Sequence, residues 1–124
     1  MTGQQIYEAA SAFLYERDME DLDSKHFSIP FLNLLLQECL EVENSIRKFN
    51  EEPELDRAQE LLELDETIVY DDTITRGALP YGLASFFFQE ATDNFQAENY
   101  RARYLAALQS AIRYNTSTIV NMYD

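Results

Sequence analysis

Between Leu32 and Phe49 the apolar residues Leu32, Leu35, Cys39, Val42, Ile46 and Phe49 recur at intervals of 3, 4, 3, 4 and 3. Residues three and four apart share one face of an α-helix, whereas a half-buried strand needs alternate residues. Leu34, Leu36 and Leu40 widen the stripe in its first half. The spacing predicts a helix over residues 29–49, capped by Ser28, with Pro30 in the first turn where a missing N–H costs little. Such a helix must bury its apolar face, and the rest of the chain supplies other helices to bury it against. Residues 4–16 carry Ile6, Ala9, Ala10, Phe13 and Leu14 on one face. Residues 78–91 place Leu79, Gly82, Leu83, Phe86 and Phe87 on one side and Tyr81, Ala84 and Phe88 round much of the rest. A helix apolar nearly all round belongs at the centre of a bundle or an oligomer. Residues 95–114 offer Ala97, Tyr100, Tyr104, Leu105, Leu108, Ala111 and Ile112 as an inner face. Asp93 and Gln96 in front of them have the spacing of a capping box.

The intervening segments are less regular. Residues 17–27 lack a sustained period and read as a loop. A short helix over residues 54–63 would gather Leu55, Ala58, Leu61 and Leu62. Residues 67–70 are β-branched and aromatic, which suits either a short strand or an ordered loop. The expected architecture is all-α: about four antiparallel helices in one domain over residues 1–124, with one long acidic loop. Residues 116–124 form a C-terminal tail whose apolar Ile119, Val120, Met122 and Tyr123 serve no evident purpose in a lone monomer.

The 124 residues hold 9 basic and 23 acidic side chains, a formal net charge of −14. Residues 16–72 contain 18 acidic and 5 basic side chains, while residues 73–124 contain 4 of each. Either the domain uses two surfaces differently, or an acidic face simply keeps it soluble. So acidic a chain repels phosphate backbones, which argues against gripping nucleic acid. With one cysteine, Cys39, and one histidine, His26, neither a disulfide framework nor a His-based metal site is expected. Cys39 among leucines reads as core packing, since a thiol there stays protonated, and His26 reads as a surface residue. Asp18, Glu20, Asp21 and Asp23 resemble a calcium loop only in charge, because no glycine lies between Gly3 and Gly77. Paired carboxylates at Asp21 and Asp23, Glu51 and Glu52, and Asp71 and Asp72 sit in polar stretches, without the burial that makes a general acid. Three glycines in all leave no phosphate-binding loop. No enzyme activity, cofactor, metal or small-molecule substrate is expected. The first residues carry neither a basic patch nor an apolar run, and the longest uncharged stretch, residues 77–89, spans 13 residues. That is short of the roughly 18–20 needed to cross a bilayer, so no membrane role is expected and the cytoplasm is the expected compartment.

Two patterns point towards association. Phe86, Phe87 and Phe88 follow one another, and adjacent helical residues diverge by about 100°. Either one ring looks outwards to a second interface, or a thick core covers all three. Tyr100, Arg101, Arg103 and Tyr104 combine flat contact area with hydrogen-bonding groups, a composition favoured at interfaces, or else the arginines merely face solvent.

Leu79-Pro80-Tyr81-Gly82-Leu83-Ala84, the acidic turn over residues 90–93, and the helix bearing Tyr100 and Tyr104 together resemble the small head-to-tail connector (adaptor) proteins of tailed bacteriophages and prophages. The upstream layout is similar too: an N-terminal helix, an acidic loop, a Leu-rich helix with Asn33 and Glu38, and a short Ile-Val-Tyr segment. The resemblance covers residues 4–112 and is one of layout and a short phrase. It implies a helical structural subunit of a virion, assembled in the bacterial cytoplasm as a ring below the portal, with DNA passing through without specific binding. Its partners would be copies of itself and portal or tail-completion proteins. Phe86, Phe88, Tyr100, Arg101, Arg103 and Tyr104 are then the expected subunit contacts, with Ile119, Val120 and Tyr123 reaching a neighbour or the portal. The rival expectation is a small acidic DNA mimic or inhibitor that occupies the groove of a basic partner; a third is an acidic chaperone or regulatory subunit.

Overall fold

A computed structural model describes residues 1–14 and 22–116. The fold is all-α. The helices are α1 (Gly3–Ala12), α2 (Leu22–Glu38), α3 (Leu40–Phe49), α4 (Asp72–Thr75), α5 (Leu79–Glu90) and α6 (Asn94–Thr116). No strand forms among the described residues, and the segment over residues 67–70 is an ordered loop carrying one antiparallel bridge between Thr2 and Thr67.

Helix α1 opens with a capping box: Thr2 accepts from the Gln5 N–H, and the Gln5 side chain accepts from the Thr2 N–H. Its face of Ile6 and Ala10, continued by Leu14 in the following turn, is buried as expected. The long helix differs from expectation at both ends of its first half. It starts at Leu22, so Pro30 lies well inside α2 and Ser28, expected as the cap, is a fully buried interior residue. Pro30 is exposed, and so is His26, whose carbonyl would have accepted the missing N–H. A proline on the outer side forfeits one bond and leaves the inner stripe intact. The stripe itself holds, with Leu32, Leu35, Leu36, Cys39 and Ile46 all buried. The backbone turns at Cys39, but its N–H still reaches Leu35 O and its carbonyl still accepts from Glu43, so α3 continues α2 with one residue between.

Helix α5 packs against α1, α2, α4 and α6. Leu79, Gly82, Leu83, Ala84, Ser85, Phe87 and Phe88 are all buried, and Pro80 occupies the first turn as expected. Gly82 explains the close approach: a Cβ there would come within 2.8 Å of Leu35 Cδ2 and 3.0 Å of Tyr104 Cδ1. Helix α5 therefore passes between α2 and α6 where only a hydrogen fits. It ends in a Schellman motif, with Thr92 N–H bonding Gln89 O and Asp93 N–H bonding Phe88 O. Thr92 takes the left-handed position usually held by glycine, at φ 58°. Asp93 then caps α6 by accepting from the Gln96 N–H. On α6 Tyr104, Leu108 and Ala111 are buried, and Leu105, expected on the inner face, is half-exposed.

The expected helix over residues 54–63 is absent. Residues 50–71 instead form an irregular strap across α2 and α3. Two asparagines hold it by making the bonds a neighbouring strand would make. Asn44 accepts from Leu55 N–H at 2.7 Å and donates to Leu55 O at 3.1 Å; Asn33 does the same to Leu61 at 2.7 and 3.1 Å. Gln59 joins two parts of the strap, donating to Thr67 O and accepting from Val69 N–H. Buried Glu43 accepts from Asp71 N–H and pairs with Arg47, which itself donates to Pro53 O and Val69 O. Leu61, Ile68 and Tyr70 plug the strap into the core, and Tyr70 Oη donates to Leu36 O. Backbone bonds from Gln4 N–H to Leu64 O and from Ile68 N–H to Met1 O fasten it to the N-terminus.

Candidate interaction surface

The expected contact residues separate into three groups. Tyr104 is fully buried, and Phe88 is 5% exposed and stacks on Tyr100 at 5.2 Å. Both are used inside the chain, which corrects their expected place at a subunit contact. The reason lies in α6, whose inward face turns Tyr104 into the space that Gly82 leaves open. Tyr100 and Phe86 are half-buried. Tyr100 closes an aromatic cluster with Phe13 and Tyr81, each ring within 6.0 Å of it, and Arg103 is exposed with its guanidinium 5.1 Å above the Tyr100 ring. Phe86 stacks on Phe31 of α2 at 4.7 Å, so of the three successive phenylalanines two enter the core and the third covers a helix pair at its edge. Ile119, Val120 and Tyr123, with the tail from residue 117 on, lie outside the described residues, as do the carboxylates at Asp18, Glu20 and Asp21, while Thr116, expected to open the tail, is the last residue of α6.

Phe86 and Arg101 meet at one place. They line a groove of about 500 Å³ between α2, α5 and α6, together with Glu38, Ser85, Gln89, Asn94, Ala97 and Glu98. Its lining includes a two-pronged ion pair, Arg101 Nη1 to Glu38 Oε1 at 3.2 Å and Nη2 to Oε2 at 2.6 Å. This geometry pins a flat guanidinium in one orientation. The hydrogen bonds to Glu38 hold the Arg101 pKa above its ordinary value. The cation also lies 5.1 Å over the Tyr104 ring, linking the surface pair to the core. Beneath it Cys39 Sγ and Tyr104 Oη share a hydrogen bond of 3.3 Å. Burial pushes the Cys39 thiol up to about 11, against the pull of its bond to Tyr104, and burial also raises the Tyr104 hydroxyl. A thiol held neutral next to a neutral phenol packs well and is a poor nucleophile.

Residues missed by the sequence analysis carry the apolar surface. Phe27 and Leu34 on α2, Leu62 and Val69 on the strap, and Phe95 and Leu105 on α6 are all exposed. Phe27, Phe31 and Leu34 are spaced 4 and 3, the signal of a second apolar stripe beside the inner one, of which Phe31 is covered by Phe86 and the other two are exposed. Glu51, Glu52, Glu54, Asp56, Glu60, Glu63 and Asp65 are exposed along the strap. Among the described residues no three His, Cys, Asp or Glu side chains are grouped to hold a metal, and no helix is long and apolar enough to cross a membrane. No protein-family model, curated protein or solved structure matches the chain.

Proposed function

We propose that this chain is a structural subunit of a phage or prophage head–tail connector ring, joining portal to tail. The observation that carries the reading is the exposure of large apolar side chains on a well-packed helical domain, above all Phe95 at 79% and Leu62 at 74%. Singly exposed apolar residues are ordinary, but here they fall on α2, on the strap and on α6, elements of contrasting charge. A ring subunit needs two unlike surfaces, one for each neighbour. The resemblance over residues 4–112 supports the same assignment. The strap presents its carboxylates on an ordered backbone, and negative charge facing a DNA channel would let the duplex slide without sticking.

The test is the mass of the purified chain in solution, alone and with a portal ring. Assembly into a closed ring, alone or on the portal, is the expected result. A chain that stays monomeric with the portal present overturns the reading. The second reading, an acidic DNA mimic, is favoured by the same fixed row of carboxylates. Its mark would be a small complex with a basic protein that dissociates as salt is raised.

A further inference from the structure

We infer that the outer face of α6 in one copy seats against the α2–strap face of the next. The inference rests on the ring reading and names the two surfaces that reading requires. The receiving face is built by the Asn33–Leu61 pairing, because Leu34 and Leu62 directly follow the two bonded residues and are 50% and 74% exposed. A groove of about 550 Å³ that shares Asn33 with this pairing runs between α2, the start of α3 and the strap, with Leu40 and Ala58 in its lining and Asp56, Arg57 and Glu60 among its walls. It offers apolar contact bordered by two carboxylates and one guanidinium, on a strap whose charge is strongly negative.

The inserting face has the opposite character. Along α6, Leu105 is 47% exposed beside exposed Ala102 and Ala106, whose small side chains allow a close approach. Exposed Arg113 continues the face of Ala102 and Ala106, and exposed Arg103, held in place by the Tyr100 ring beneath it, borders that face on the side away from Leu105. Arginine against carboxylate around an apolar centre is the arrangement that fixes register and excludes wrong partners. Two straps facing each other would set carboxylates against carboxylates, which disfavours a symmetric pair through that surface. Each copy carries one face of each kind on different elements, so the contact is head-to-tail, and head-to-tail contacts close into rings when the rotation allows.

The experiment uses Leu62→Asp to spoil the receiving face and Leu105→Asp to spoil the inserting face. Both positions are exposed, and unchanged circular dichroism checks the fold. At a concentration where the wild-type chain assembles, each variant alone is expected to weaken association more than tenfold and sediment as a monomer. Mixed together they should form a pair and nothing larger, because one intact face of each kind remains. Assembly of either variant like wild type, or a mixture that stays monomeric, overturns the contact while leaving the connector reading in place. A wild-type chain that is monomeric even at millimolar concentration also overturns it, and ring formation on a portal then decides the connector reading separately.

Discussion

Around Gly82, helices α2, α5 and α6 close to the point where one added methyl would meet Leu35 and Tyr104, whereas the strap over residues 50–71, besides its three buried plugs, is fixed to α2 and α3 by side-chain amides and by the Glu43 and Arg47 side chains. The first region is ordered by shape: dispersion and burial reward contact in any direction but punish a change in volume. The second is ordered by direction: each bond names a donor and an acceptor, and the loss of one partner strands the other. The acidic strap therefore keeps a fixed shape while burying few of its own side chains. Its carboxylates remain at the surface because the anchoring is shared between amides of the neighbouring helices and three buried plugs, Leu61, Ile68 and Tyr70, which leaves the acidic positions between them facing out.

The comparison breaks most visibly in the helical region. Leu35→Ala empties a fully buried site against Gly82 and should cost about 3–4 kcal/mol, read as a drop in the urea midpoint with an unchanged slope. Glu43→Ala tests the strap. It strands Asp71 N–H and leaves Arg47 without its carboxylate, its bonds to Pro53 O and Val69 O remaining, and should cost about 2–3 kcal/mol. Amide hydrogen exchange should then quicken first over residues 53–71, with α5 still protected; uniform quickening would mean that the two regions are a single unit.

Alkaline pH loosens both regions at once. Burial raises the Cys39 thiol from 9.0 to about 11 and the Tyr70 hydroxyl, which anchors the strap, from 10.0 to about 12. The unfolded chain therefore loses these protons first. Stability should be level with respect to them below pH 9.0 and fall as pH rises through about 11 to 12, seen as a declining melting temperature. Cys39→Ser and Tyr70→Phe should each remove part of that slope. The smallest expected effect is a gain. Thr92 at the α5–α6 junction and Glu51 at the start of the strap both hold left-handed backbone, at φ 58° and 59°. Thr92→Gly and Glu51→Gly should each stabilise by about 0.5–1 kcal/mol in denaturant melts. A gain at Thr92 alone would show that the strap's entry is not coupled to the core.

Much of the helical region was legible from residue spacing. The inner stripe from Leu32 to Ile46, the Asp93 cap and the central position of α5 follow from local rules, since each depends on residues within a few positions. The strap was not legible. Leu55, Ala58, Leu61 and Leu62 satisfy a helical period, yet Asn33 and Asn44 claim the backbone of Leu61 and Leu55 from up to 28 residues away. Of the residues that the resemblance drew attention to, Asn33 and Glu38 proved to be joints, one to the strap and one to Arg101. Tyr100, Arg101 and Arg103 were placed near a surface, but which neighbouring rings became core depended on Gly82.

By itself the sequence determined that this protein is helical, that one helix is buried nearly all round, and that negative charge gathers before Thr73, because periodicity and composition act locally or in sum. Only the tertiary structure decided which aromatics face inward, that the acidic segment is an ordered strap, and which apolar residues remain exposed. Those outcomes turn on contacts between distant segments, where a missing Cβ or a single side-chain amide sets what can approach what.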